Sequence, residues 1–157
     1  MKDTRQTAAA RPPRIWVVAA DAARARIFRA AGDKRLVEME GLLNPVAGRA
    51  AERALRSDRQ GHASNATHGG GHSLQRNAES GLQHETAEFA RRLAHRLASS
   101  RRHGEVDRIY LMAEPRLLGA VRACLDRATR RLVAGEIDKD LTRQRPTAIR
   151  ERLPARL

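Results

Sequence analysis

Four acidic residues stand at positions where the sequence predicts that strands end. Asp21 follows one short apolar run, Glu114 follows a second, and Asp138 and Asp140 follow the last. In many nucleases such strand-borne acids hold two metal ions that activate water. The strand before Glu114 is predicted to lie between the other two, so Asp21 and the end of the last strand would be about 10 Å apart, twice the strand spacing. Without Glu114 as a bridge, that separation argues against a shared ion, and Asp21 is expected to accept hydrogen bonds from its own turn.

The histidines and the single cysteine are the other candidate ligands and nucleophiles. His68 and His72 have the spacing of two ligands on one helical turn, and His62 and His84 lie nearby in the chain. That region is rich in glycine and offers no partner cysteine or acidic motif, so we interpret these histidines as solvated and predict no metal. Cys124 occupies an apolar position of a predicted helix and is interpreted as a buried, unreactive thiol. No phosphate loop, dinucleotide motif or nucleophile elbow occurs, so no catalytic residue and no cofactor are predicted.

The strongest compositional signal is an excess of positive charge. Thirty-one basic residues face 18 acidic ones, and the formal net charge is +13. Such a chain is attracted to polyanions, because cations that neutralise phosphates release bound counterions. All but three of the basic residues are arginine, and alanine is abundant, which is the usage that a GC-rich genome produces without selection for binding. Composition explains the choice of arginine but not the shortage of acids.

A basic helix and the segment before it form the candidate polyanion surface. The arginines assigned to it are Arg59, Arg76, Arg91, Arg92, Arg96 and Arg102. With aromatic residues at 3 %, base stacking is scarce, so any RNA would be bound through its backbone and without sequence preference. The alternative interpretation is an ordinary solvated helix face, partly neutralised by a pair between Glu88 and Arg92.

The apolar pattern predicts one α/β domain with the element order β-β-β-α-β-α-β-α. Strands are predicted at 15–20, 24–30, 36–42, 106–113 and 132–137, and helices at 84–102, from Pro115, and at 146–153. Because helical crossovers join parallel strands, the last two strands are expected to be parallel to their neighbours in a five-stranded mixed sheet, with the first and fourth strands at its centre. Glu38 and Glu40, two residues apart in the third strand, are predicted to share one face.

The remaining segments complete the predicted domain organisation. Residues 1–13 are expected to be a disordered tail, and 14–157 to be a single domain with a mobile loop at about 44–82. One cysteine excludes an internal disulfide framework and suits a reducing compartment. The first apolar run is too short for a signal peptide or a membrane span, so a soluble, cytoplasmic protein is expected.

Several segments together resemble the bacterial host attachment protein family. Trp16 to Ala19 followed by Asp21 to Phe28, with Arg24 and Arg26, resembles its opening. Ser57-Asp58-Arg59-Gln60-Gly61 is similar to its loop motif, with glutamine where proline is usual. His84-Glu85 and Phe89-Ala90-Arg91 match its long helix, and Glu114 to Gly119 (with Pro115) and Glu136 to Thr142 (with Lys139 and Asp140) match its closing motifs.

The resemblance implies a further relation in topology. The family is similar to the middle domain of archaeal and eukaryotic peptide-chain release factors, in the RNase H-like group of translation folds. In that domain a loop before the long helix carries Gly-Gly-Gln, whose glutamine reaches the peptidyl-tRNA ester. Here the corresponding segment has Gly70-Gly71 followed by His72. The missing glutamine argues against peptide release, and the relation implies at most proximity to the ribosome or tRNA.

These observations predict a non-enzymatic, RNA- or ribosome-associated basic module. Two alternatives stay open: a factor that supports attachment of bacteria to host cells by an indirect route, and a metal-dependent hydrolase of the RNase H-like type. The sequence leaves the oligomeric state undetermined.

Overall fold

A computed structural model of the protein describes residues 11–32, 34–49 and 71–157, with the backbone alone for 71–80 and 82. The strands are β1 (Ile15–Ala20), β2 (Arg24–Ala31), β3 (Arg35–Leu43), β4 (Arg108–Ala113) and β5 (Val133–Ile137). The helices are α1 (residues 45–49), α2 (Gly71–Arg102), α3 (Pro115–Cys124), α4 (Arg127–Arg130) and α5 (Pro146–Arg150). The predicted α/β class and element order are confirmed, with α1 and α4 as additional short helices.

The five strands form one mixed sheet in the order β3-β2-β1-β4-β5. β1 and β2 are antiparallel, as are β2 and β3, whereas β4 is parallel to both β1 and β5. All six residues of β1 are buried. A continuous apolar strand with both faces covered is what a central position requires, and β1 occupies that position with β4 beside it.

The sheet separates two apolar layers, which we call the helix face and the C-terminal face. On the helix face, α2 and α3 pack over the alternate β1 side chains Trp16, Val18 and Ala20. On the C-terminal face, Ile15, Val17 and Ala19 meet the segment after β5, which contributes Leu141, Ile149 and Leu153. The two-residue period of β1 therefore divides its side chains equally between the two layers.

Helix α2 ends as the sequence predicts but begins earlier. Gly104 has φ +64°, and the amides of Gly104 and Glu105 bond back to the carbonyls of Arg101 and Ser100, which is the Schellman arrangement. At the other end, residues 71–82 are helical, so the predicted 44–82 loop is wrong there and at residues 45–49. The glycines that suggested a loop cost only about 1 kcal/mol each in a helix, and extending a helix already nucleated by packing offsets that cost. Residues 1–10 and 50–70 lie outside the described part.

A bulge in β3 overturns one face assignment. The register passes from Phe28 opposite Glu38 to Ile27 opposite Glu40, so Met39 is an extra residue without an opposite partner. An extra residue reverses the alternation of side chains. Phe28 belongs to the C-terminal face and Ile27 to the helix face. The two glutamates therefore point to opposite faces of the sheet, not to the same one.

Candidate functional site

Asp21 organises the turn between β1 and β2. Its Oδ1 accepts hydrogen bonds from the amides of Ala23 at 2.7 Å and Arg24 at 2.8 Å, and Arg24 Nε lies 3.5 Å from Oδ2. This confirms the predicted role of Asp21 as an acceptor for its own turn. The remaining oxygen, Oδ2, accepts a hydrogen bond of 2.7 Å from the hydroxyl of Thr142.

Asp140 reaches the same hydroxyl from the other side. Its Oδ1 lies 2.7 Å from Thr142 Oγ1 and accepts a 2.9 Å bond from the Thr142 amide. The chain therefore turns back after β5 and brings Asp140 toward Asp21, although the strand ends themselves are two strands apart. The buried Thr142 stands between the two carboxylates, and Asp138 is exposed. In the part of the chain that the structure describes, no group of three or more acids, histidines or cysteines is arranged to hold a metal ion.

The side chain of Arg26 links the turn at residues 142–144 to the sheet. Its Nε and Nη2 donate to the two carboxylate oxygens of Glu38 at 2.8 and 2.7 Å. Its Nη1 donates to the carbonyls of Thr142 and Gln144, both at 2.8 Å, and its guanidinium lies 4.9 Å from the ring centroid of Phe28. The hydrogen bonds from Arg26 hold the pKa of Glu38 below its ordinary value. One side chain thus joins β2, β3 and residues 142–144.

The residues of the family motifs divide between this cluster and the surface. Asp21, Arg24, Arg26 and Asp140 are brought together around Thr142. Pro115 occupies the first turn of α3, as predicted. His84 and Lys139 are exposed, and Glu85 is half-buried on α2; Ser57 and Asp58 lie outside the described residues. The cluster ties the C-terminal segment to the sheet, which is a structural role.

A groove of about 470 Å³ lies between α2 and the corner that joins α3 to α4. Its described lining is Arg91, Ala94, His95, Ala98, Arg102, Cys124 and Asp126. We call this the cationic groove. The buried Ala94 and Ala98 let the neighbouring chain approach α2 closely. Arg91, His95 and Arg102 share one side of α2 because their spacing follows the helical period.

The predicted basic surface is only partly present. Arg91 and Arg102 line the cationic groove, whereas Arg92 donates to the carbonyl of Leu43 at 3.1 Å. The proposed Glu88–Arg92 pair is also wrong, since Glu88 pairs with Arg91. Arg59 lies outside the described residues, and of Arg76 the structure describes only the backbone.

Arg96 was assigned to the solvated face, and the structure corrects this. Its Nε lies 2.6 Å from Glu40 Oε1, and Nη1 lies 3.7 Å from Glu105. Its guanidinium stacks over Trp16, 5.2 Å from the ring centroid. The physical reason is the bulge in β3, which turns Glu40 toward the helix face and so attracts Arg96 inward.

The acid in the groove is neutralised locally. Asp126 caps α4, with Oδ1 accepting from the Thr129 amide at 2.7 Å and Oδ2 from its hydroxyl at 3.0 Å. These bonds, the amide bond above all, together with Arg101 at 3.6 Å, lower the pKa of Asp126. Helix α4 then adds three exposed arginines, Arg127, Arg130 and Arg131. The corner between α3 and α4 was not predicted from the sequence, although Asp126, three residues before Thr129, has the spacing of a helix N-cap.

Cys124 also differs from its predicted position. It packs at the margin of the helix-face core and is partly exposed on the wall of the cationic groove. The prediction of a fully buried thiol is therefore wrong. Helix α3 turns its fully buried stripe, Leu117, Leu118 and Val121, toward the sheet and leaves its last residue at the edge.

The fold and these clusters define a class of protein: an α/β domain with a five-stranded mixed sheet, a polar network that ties its C-terminal segment to the sheet, and a cationic groove on its long helix. A family model described as "Protein required for attachment to host cells" matches residues 16–153. The chain belongs to this family. No curated protein matches it significantly. Among the described residues, no helix is both long enough and apolar enough to cross a bilayer.

Acid should destabilise this fold through three carboxylates. Hydrogen bonds lower the pKa of Glu38 from its ordinary 4.5 and those of Asp107, bound by Arg14, and Asp126 from 3.8. The unfolded chain then takes up these protons first, so the stabilisation is complete above the ordinary values and is lost as the pH falls through the lower, folded-state values. Urea unfolding between about pH 6 and pH 3 should show this decline. In Glu38→Gln the decline should be shallower; a free energy of unfolding that is constant over this range would contradict the assignment.

Proposed function

We propose that the protein is a non-enzymatic module that binds RNA through its phosphate backbone, within the cytoplasm and in association with the ribosome. The observation that carries the proposal is the cationic groove. Arg91 and Arg102 line it on α2, and Asp126, the acid that its described lining contains, is already engaged by Thr129 and Arg101. Arg91 also pairs with Glu88, so Arg102 is the groove arginine whose charge no described side chain neutralises.

The chemistry of the groove suits phosphodiesters more than bases. A guanidinium presents paired donors that match two phosphate oxygens. The side chain of Arg102 makes no hydrogen bond or ion pair with any described residue, so its donors are available to a ligand. The lining includes two alanines and, among the described residues, no Phe, Tyr or Trp, so His95 offers the one small ring on which a base could stack. The topological relation to release-factor domains that the resemblance implies is consistent with an RNA-rich partner.

The test is a triple variant of the two groove arginines and the adjacent first arginine of α4, Arg91→Gln, Arg102→Gln and Arg127→Gln, titrated against a labelled single-stranded RNA at several salt concentrations. Loss of three phosphate contacts should weaken binding roughly tenfold or more and reduce the slope of log K against log salt by about 2. The matched control is Arg29→Gln, Arg35→Gln and Arg108→Gln, which removes the same charge from exposed strand positions. An equal loss in both variants would mean that net charge alone attracts RNA. Absence of RNA binding by the unaltered protein at low salt would refute the proposal.

The family description favours a second proposal, a factor that supports attachment of bacteria to host cells by an indirect route. Labelling the surface of intact cells should then leave the protein unmodified, although its loss reduces attachment. Surface labelling would instead indicate a direct role. We do not extend the hydrolase alternative, because the Thr142 hydroxyl occupies the space between Asp21 and Asp140.

A further inference from the structure

A second cationic surface lies on the opposite side of the sheet. After β5 the chain crosses the C-terminal face, where Leu141, Ile149 and Leu153 enter the core. Around these anchors, between residues 139 and 156, the chain presents five basic residues to solvent: Lys139, Arg143, Arg145, Arg152 and Arg156. None of the five side chains makes a hydrogen bond or ion pair with the described part of the chain. We call this group the C-terminal surface.

Two of the acids near this surface are already engaged by other side chains of the protein. Asp140 turns inward to Thr142, and Glu38 is bound by Arg26. Asp138 and Glu151 are exposed near the same cations and offset two of the five. The surface therefore keeps a positive charge that its own side chains do not neutralise, as the cationic groove does.

The backbone that carries these cations is held in place. Arg26 binds the carbonyls on both sides of Arg143, those of Thr142 and Gln144. Arg150 donates to the carbonyls of Pro154 and Ala155 and so folds the end of the segment back on itself. A surface whose backbone is fixed before binding loses less entropy when it binds a ligand.

The two cationic regions are separated by the body of the domain. The cationic groove lies between α2 and the α3–α4 corner on the helix face, and the C-terminal surface lies beyond the other core layer, so the sheet separates them. Packed layers are about 10 Å apart, whereas charges in physiological salt are screened over about 8 Å. The two regions therefore act as independent electrostatic surfaces.

We infer that the C-terminal surface is a second site for the phosphate backbone of RNA, so that a single protein molecule holds two RNA segments at once. The nature of the partner rests on the proposed function; the number of sites rests on the two opposed cationic surfaces. The outcome would be a protein that bridges RNA strands as well as binding them.

The experiment uses one immobilised RNA and a second, fluorescent RNA that cannot pair with it. The full-length protein should retain the second RNA on the first, and should lose it as salt increases. Changing Arg143, Arg145 and Arg152 to Gln should lower this retention at least tenfold while affinity for the immobilised RNA falls no more than about threefold. The triple variant of the cationic groove should also lose retention. The Arg29, Arg35 and Arg108 variant should keep it.

Mixing the two defective variants separates a single bridging molecule from a bridging oligomer. If each molecule needs both surfaces, the mixture stays inactive; recovered retention would overturn the inference in favour of association between copies.

RNA binding that depends on the groove, with no retention of a second RNA, would sink the inference and leave the proposed function intact. Failure of the unaltered protein to bind even the immobilised RNA would refute both the inference and the proposed function. Capture of phosphatidylglycerol vesicles in place of the second RNA would overturn the assignment of the C-terminal surface.

Discussion

Replacing Arg26 with alanine is expected to lower the free energy of unfolding by about 3 kcal/mol. The change removes four hydrogen bonds of 2.7–2.8 Å and leaves Glu38 and two backbone carbonyls without their donor. Bonds to a charged group contribute about 1.5–3 kcal/mol each but are not additive when one side chain makes them all. In a domain of this size the loss corresponds to a fall in melting temperature of roughly 10 °C. Urea and thermal unfolding measure both quantities.

The control for this change is Arg29→Ala on the same strand. The Arg29 side chain is exposed and makes no hydrogen bond or ion pair in the described part of the chain, so its loss should alter stability by no more than about 0.5 kcal/mol. Arg26→Lys should be intermediate, because lysine keeps the charge but cannot donate to Glu38 and the two carbonyls in the same fork. Hydrogen exchange at residues 142–145 should accelerate in Arg26→Ala. Equal effects of the two alanine substitutions would show that Arg26 does not fasten the segment.

Replacing Arg96 with methionine should cost about 2 kcal/mol. Methionine retains the packing of the stem against Trp16 but removes the guanidinium that faces Glu40 Oε1, an oxygen shielded from water. Breaking a fully buried pair costs about 3–5 kcal/mol, and both side chains here are about one-third exposed, so the expected loss is smaller. Arg91→Met, which breaks the exposed pair with Glu88, should cost less than about 1 kcal/mol.

A double variant makes the prediction about Arg96 specific. Adding Glu40→Leu to Arg96→Met removes the unpaired carboxylate and should recover part of the lost stability, because an apolar pair of similar volume replaces the ions. If the double variant is as unstable as the sum of the two single changes, the pair contributes through packing and not through charge. Equilibrium unfolding of the four proteins in the cycle provides the coupling energy.

Most of the fold follows from local patterns in the chain. The buried run of β1, the Pro115 start of α3 and the Gly104 stop of α2 each reflect a short-range requirement, and all three are confirmed. The bulge at Met39 was not predicted, although Gly41 two residues later is the kind of strand glycine that accompanies bulges. It depends on pairing with β2, which only the assembled sheet specifies.

The candidate site was harder to predict, because sequence spacing on a helix does not determine what the helix packs against. Arg91, Arg92 and Arg96 all belong to one predicted basic helix, but their contacts differ. Arg91 lines the groove, Arg92 donates to a carbonyl at the end of β3, and Arg96 packs against the sheet. Similarly, Asp21 and Asp140 both contact the Thr142 hydroxyl only because of the path that the chain takes after β5. The chain turns back there, and spacing along the sequence does not specify that path.

The C-terminal face has a consequence for the order in which the protein is made. Ile15 and Val17 emerge early during translation, yet the residues that cover them, Leu141, Ile149 and Leu153, follow every strand in the chain. Contacts over such long sequence separations form late and slow folding. Until the segment after β5 has been synthesised, the nascent sheet exposes one apolar side, the kind of surface that chaperones bind. The helix face is covered by α2 and α3, which are synthesised earlier, so the two apolar layers of the domain are covered one after the other.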